Sequence, residues 1–157
     1  MNLLDIFATD RLLLDLRARE MKGAIKELVQ HLVSVDAVEC DSARKVERAI
    51  NKRESEGTTG IGKGVAMPHA KGCKSISETV AVFARSHEGI NFNSVDGGLV
   101  QLVFLVVSPP DQAHEHLQVM RKIAMLHKDE KTLKFLKTTD SVKSILGILQ
   151  EIDETFQ

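Results

Sequence analysis

The 157-residue chain has no tryptophan, no tyrosine and only six phenylalanines. Its core must rest on Leu, Ile, Val and Ala, and it lacks the aromatic platforms on which single-stranded nucleic acids stack. Charge of one sign is missing too. The 21 Lys and Arg stand against 22 Asp and Glu, which leaves no basic footprint for DNA or RNA. The two cysteines, Cys40 and Cys73, lie far apart and outside any metal-type spacing, so no disulfide framework is expected and a reducing cytosol suits them. The longest apolar stretch, Leu102–Val107, is far too short to span a bilayer. Met1-Asn2-Leu3-Leu4-Asp5 has neither the cationic start nor the apolar run of a secretory leader. There is no repeat, low-complexity tract or Pro/Ser-rich linker. The expectation is one soluble cytoplasmic domain over 1–157, with no membrane insertion.

What is present is strong periodicity. Over Glu20–Ser34, the positions Met21, Ala24, Ile25, Leu28, Val29, Leu32 and Val33 follow a helical stripe. Asp41–Glu54 carries a narrower one at Val46, Ala49 and Ile50, with Asp41 or Ser42 as cap. His114–His127 reads as a helix with Leu117, Met120, Ile123 and Ala124 inward. Asp129 caps a short helix carrying Leu133 and Leu136. Thr139 or Asp140 caps a last one with Val142, Ile145, Leu146, Leu149 and Ile152 inward. Strands fill the middle. Thr79–Ala84 is β-branched and apolar, and Leu99–Val107 reads as a strand buried on both faces. Ile90–Val95 alternates into an Asp96-Gly97 turn. Leu12–Leu16 and Gly64–Pro68 are candidate short strands. The pattern predicts an α/β fold, a mixed sheet flanked by helices on both sides.

The unusual segment is Gly57–Ala70. Four of the ten glycines fall between Gly57 and Gly64, where they free the backbone for left-handed conformations, close approach or an anion-holding nest of N–H groups. Pro68 then fixes the chain before His69, placing that side chain stiffly. A tight loop followed by an incidental histidine is the plainer alternative. A P-loop is excluded because Lys63 is followed by Gly64, and a dinucleotide loop because Pro68 forces an extended exit.

Two further residues join His69. Arg53 continues the Val46–Ala49 stripe, so it either faces inward toward an anion or sits as a cation at a helix C-terminus. His116 heads the apolar stripe of the helix after Pro109-Pro110, on one face with Met120 and Ile123, as a neutral imidazole beside an anion-favouring helix start or as a boundary histidine. No metal site is expected. His114 and His116 lie about 200° apart on a helix, position 118 is Gln, and His127 is roughly 16 Å further along the axis.

Arg53-Glu54, Thr59-Gly60-Ile61-Gly62 and Gly64-Val65-Ala66-Met67-Pro68-His69 together resemble the enzyme IIA domains of the bacterial phosphotransferase system, in their fructose/mannitol/nitrogen-regulatory class. Phe92-Asn93-Ser94-Val95-Asp96, Pro109-Pro110-Asp111 and His116-Leu117 extend the resemblance over nearly the whole chain. With no fused transporter or enzyme IIB segment expected, the chain looks most like the stand-alone nitrogen-regulatory members. The resemblance implies that His69 accepts a phosphoryl group, through Nε2, from an HPr-type phosphocarrier. It implies that Arg53 steadies that group, that His116 stands beside His69, and that Thr59, Gly60, Gly62, Gly64 and Pro68 shape the pocket. Lys63 departs from the loop's usual polar neutral residue and adds positive charge. No cofactor is called for.

A neutral imidazole is a nucleophile at cytosolic pH, and phosphoryl transfer asks for in-line positioning and charge neutralisation. The expected function is a histidine phosphocarrier with a regulatory output toward protein targets. Its rivals are a sugar-branch enzyme IIA passing phosphate to an enzyme IIB, and a non-catalytic binding module.

Overall fold

A computed structural model describes residues 1–156. Two long strands form its centre, β5 (Val80–Ile90) and β6 (Val100–Val107), paired antiparallel with Phe83 opposite Phe104. On the β5 side β1 (Leu12–Leu13) adds in parallel. On the β6 side β3 (Val65–Ala66) and β4 (His69–Ala70) both run parallel to β6, and β2 (Gly60–Gly62) closes the edge antiparallel to β3. The sheet is mixed, with strand order β1-β5-β6-β3-β2 and β4 beside β6.

Strand alternation sorts the core into two layers. Val103, Leu105 and Val107 of β6 face one side, where they meet Ile25, Leu28 and Leu32 of α2 (Met21–Ser34) and Val46 and Ile50 of α3 (Ala43–Glu56). Leu102, Phe104 and Val106 face the other side. There they meet α1 (Leu3–Ile6), α4 (Ala113–Lys128), α5 (Glu130–Thr138) and α6 (Val142–Thr155), through residues such as Leu3, Val119, Ile123, Leu136 and Leu149. The three-layer arrangement is the one the periodicities predict. Phe104 is the aromatic hinge of the second layer, with Phe83 at 4.9 Å and Phe7 at 6.0 Å between ring centroids.

Several details differ from expectation. In α4 the buried positions are His116, Val119, Lys122, Ile123 and Leu126, while Leu117 and Ala124 are exposed. The stripe is rotated because Leu117 lies at the mouth of a cavity and not in the core. Ile90–Val95 is not a separate strand. β5 runs on to Ile90 through a register shift after Arg85, where the Ser86 hydroxyl accepts the Gly89 N–H. Asp129 caps α5 as predicted, accepting from the Lys131 and Thr132 amides. For α6 the cap is Ser141 and not Thr139 or Asp140. Thr139 and Asp140 serve instead as acceptors for the buried Arg85 guanidinium. Ser42 occupies the N-cap of α3 but makes no side-chain capping bond, because a 3₁₀ turn over Cys40–Ser42 leads into the helix.

Candidate active site

Pro68 has no N–H to give to the ladder, so pairing with β6 stops after Ala66 and resumes at His69, opposite Val106. The break turns the His69 ring back on its own chain, and Nδ1 lies 2.8 Å from the Met67 carbonyl. A carbonyl only accepts, so Nδ1 carries the hydrogen. In the neutral ring the free lone pair is then on Nε2. Met67 is itself held, since its N–H donates to the Thr59 carbonyl at 3.0 Å. Thr59 in turn gives both its N–H (2.8 Å) and its hydroxyl (2.5 Å) to the buried carboxylate of Glu54. A chain of bonds thus runs from the end of α3 through the loop to the His69 ring.

His69 opens into a cavity of about 700 Å³. The end of α3 supplies Lys52, Arg53 and Glu56, the exit of β4 supplies Lys71, and the first turns of α4 supply Ala113, His116, Leu117 and Met120. The His69 and His116 rings lie 5.5 Å apart between centroids, tilted at 49°. Arg53 fits both of its alternatives. Its Nη1 donates to the Gly57 carbonyl at the helix end, 2.9 Å away, and its side chain lines the cavity. The N-terminus of α4 opens on the same space, which favours an anion there.

Both histidines are held neutral. Burial lowers the His69 value below the ordinary histidine range. Its bond to Met67 opposes that shift, Arg53 and Lys71 reinforce it, and Glu54 partly offsets them. Burial, then His69 and Lys71, bring His116 down to about 4. The His116 ring is buried, with Nδ1 2.8 Å from the Ser108 hydroxyl and Nε2 without a partner.

Not all the glycines share this neighbourhood. Thr59 and Gly60 flank Ala66 and Met67 and support the His69 approach. A Cβ at Gly60 would stand 3.0 Å from the Ser94 Cα, so this glycine permits close packing of two backbones. Gly62 and Gly64 lie at the β2–β3 turn, beyond Val65, at the opposite end of the strand line from His69. Neither lines the cavity; nor do Thr59, Gly60 and Pro68, which stand beside the His69 approach. Gly62, Lys63 and Gly64 all have positive φ (91°, 58° and 78°), and their polar groups are engaged within the protein. Asp96 accepts the Lys63 N–H, Lys137 donates to the Lys63 carbonyl, and His127 donates to the Gly62 carbonyl. The turn therefore offers no anion nest, and Lys63 pairs loosely with Glu130 at 3.9 Å, away from the cavity. His114 is exposed and does not line the cavity. Among the described residues no three His, Cys, Asp or Glu side chains are grouped to hold a metal ion, and no helix is long and apolar enough to cross a membrane.

Sequence reasoning missed Glu54, Lys71 and Ser108. Glu54 was findable, since it stands four after Ile50 on the buried stripe, where an acid requires donors. Lys71 follows His69 by two, the period of an extended chain. Ser108 carried no signal, because a serine after a strand is ordinary.

Residues 5–152 match the family described as "Phosphoenolpyruvate-dependent sugar phosphotransferase system, EIIA 2". The chain is 32% identical over 149 residues to a nitrogen regulatory protein of Bradyrhizobium diazoefficiens, covering 95% of each. It is 30% identical over 154 residues to the fructose-specific EIIABC component of Bacillus subtilis, covering 98% of this chain but 24% of that relative's length. Its fold superposes on the nitrogen regulatory protein IIA-Ntr of Neisseria meningitidis with a TM-score of 0.84 at 28% identity, over 92% of this chain and 97% of that one. The matched region runs from α1 into α6, and the chain belongs to the type-2 enzyme IIA family, a phosphoryl-transfer component of the phosphotransferase system.

Proposed function

We propose that the protein is a histidine phosphocarrier that takes a phosphoryl group on His69 Nε2 from an HPr-type donor and signals through its phosphorylation state. The observation that carries this reading is the His69–Met67 bond. It commits Nδ1 and leaves Nε2 as the nucleophile at the edge of a cavity shared with Arg53 and His116. In the transfer the donor's P–N bond breaks as the Nε2 lone pair forms a new one. The work left to the protein is alignment and neutralisation of the phosphoryl oxygens. Arg53, Lys71 and the start of α4 supply positive potential for this, and the depressed value of His69 keeps its ring unprotonated. The role is that of a transferase in a relay, and the reading places the chain in the cytoplasm, where such a relay draws on phosphoenolpyruvate.

The test is incubation with phosphoenolpyruvate, the general relay enzyme and an HPr-type carrier, followed by acid and base treatment of the labelled protein. The wild type is expected to carry an acid-labile label and His69→Ala none; incorporation unchanged in His69→Ala would sink the reading. A sugar-branch role, with transfer onward to an enzyme IIB, is favoured by the fructose-specific Bacillus relative. It predicts rapid loss of the label to an enzyme IIB domain, whereas the regulatory role predicts a long-lived label and phosphorylation-dependent capture of a regulatory protein.

A further inference from the structure

Behind His116 lies a row of polar side chains, the buried Ser108 and Thr79 and the half-buried Gln112, that the proposed transfer does not use. Ser108, fully buried at the end of β6, has its main chain fixed on both sides. Its N–H donates to the Ala70 carbonyl and its carbonyl accepts the Cys73 N–H, each at 2.9 Å. Its hydroxyl stands 2.8 Å from His116 Nδ1 and 3.0 Å from Thr79 Oγ1. Thr79 Oγ1 stands 2.7 Å from Gln112 Oε1. That atom of Gln112 is fixed as the oxygen because it also receives the Thr79 N–H at 2.8 Å.

Counting hydrogens settles the direction of the row. Each short contact needs one hydrogen, and each hydroxyl has one to give. The Gln112 oxygen has none, so the Thr79 hydroxyl donates to it. The Thr79 oxygen can then only accept from Ser108, so the Ser108 hydroxyl donates there. Ser108 has nothing left for His116, so the hydrogen between them belongs to His116 Nδ1. Any other assignment leaves two oxygens at 2.7 or 3.0 Å with no hydrogen between them. His116 Nε2, buried and without a partner, is therefore a bare lone pair. It cannot donate to a phosphoryl oxygen unless it first gains a proton.

We propose that Ser108, backed by Thr79 and Gln112, is a positioning residue that fixes His116 as its Nδ1–H tautomer, so that one solvent proton is taken up on His116 Nε2 when His69 becomes phosphorylated. This rests on the function proposed above. Atoms balance. The donor's P–N electron pair stays on the donor ring, His69 Nε2 forms the new P–N bond, and the added proton occupies the Nε2 lone pair of His116. The charged and titratable groups around that cavity are Lys52, Arg53 and Glu56 from α3, and Lys71 and the neutral His69 from the β4 segment. Burial first, and then Lys71, keep His116 neutral before transfer, and a phosphoryl dianion on His69 adds negative charge beside the ring that favours its protonated form.

Nitrogen-15 NMR of the histidine rings in the full chain tests this. The unphosphorylated protein is expected to show His116 with Nδ1 protonated and Nε2 bare, and the phosphorylated protein to show both nitrogens protonated. Ser108→Ala is expected to lose the tautomer preference and to slow phosphorylation of His69 about tenfold, with Ser108→Thr restoring both. Should Ser108→Ala fail to fold, Thr79→Val reads the next link, with the same loss expected and Thr79→Ser as its rescue. A wild-type His116 with Nε2 protonated before transfer overturns the assignment. So does a folded Ser108→Ala protein that keeps the wild-type tautomer and rate, and a His116 that stays neutral beside phosphorylated His69 overturns the proton uptake. If no phosphoryl group reaches His69, the proposed function fails, while the tautomer of the unphosphorylated protein still decides the role of Ser108.

Discussion

The two ends of the Gly60–Ala70 strand line look alike in sequence and differ in physics. At one end, Gly62, Lys63 and Gly64 take three successive left-handed conformations and spend their polar groups on Asp96, His127 and Lys137. At the other, His69 and His116 keep a ring nitrogen free in a partly desolvated cavity. One end ties down the Lys63 amide and all three carbonyls; the other leaves the buried Nε2 of His116 without a partner and His69 Nε2 unbonded at the cavity. Glycine density marks where the backbone is difficult, whereas chemistry sits where the bonding is left incomplete.

The sharpest way to break this comparison is at the chemical end. Arg53→Met should slow acid-labile phosphorylation about a hundredfold while hardly moving the unfolding midpoint, since its bond to Gly57 is exposed. Rapid-quench labelling and urea titration of the same protein check both halves. Next is Glu54→Ala, which strips buried partners from the Thr59 amide and hydroxyl. A loss of about 3 kcal/mol is expected by denaturant unfolding, with a slower transfer through the loosened Met67 carbonyl.

The free nitrogens also predict a pH response. A histidine whose folded value is depressed binds its proton more readily when unfolded, so stability rises with pH across the gap. For His116 the protein should therefore lose about 2 kcal/mol as pH falls from 6.5 toward 4, and the lowered His69 value adds in the same direction. Urea midpoints measured through that window should fall with acid, and His116→Asn should flatten the curve. The smallest effect belongs to the turn. Gly64→Ala, at φ 78° and beside Lys137, should cost about 1 kcal/mol in unfolding experiments and leave the phosphorylation rate unchanged. A large rate loss there would erase the distinction between the ends.

Most of the architecture was legible because burial imposes period. The centre of the α2 stripe and the doubly buried run of β6 match the pattern, since nothing but the core acts on them, while Leu99, predicted to open the strand, lies outside it and is exposed. The errors fall where a second demand competes. Leu117 was placed in the core because it is apolar, yet it faces the cavity mouth, while His116, read as the head of the stripe, is buried as expected. β5 was cut short because His87 and Glu88 interrupt its apolar run at the point where the strand bulges. At the candidate site, the stiff approach, the helical phase and the helix start pointed to His69, Arg53 and His116, three side chains that line one cavity. Glu54 was within reach of the same helical phase but was passed over, and Ser108 was out of reach, because its significance lies in hydrogen bonds to His116 and Thr79 that no spacing announces.

The carbonyl that orients His69 belongs to the main chain of Met67. No side-chain replacement at that position can delete it, so the aim of the His69 ring is protected against mutational drift for as long as the proline break is kept. His116 is oriented by side chains at three separate positions, each of which a single codon change can alter. Evolution can therefore retune the second histidine while the first holds still, and members of one family can come to differ in how long they keep a phosphoryl group without losing the ability to receive it.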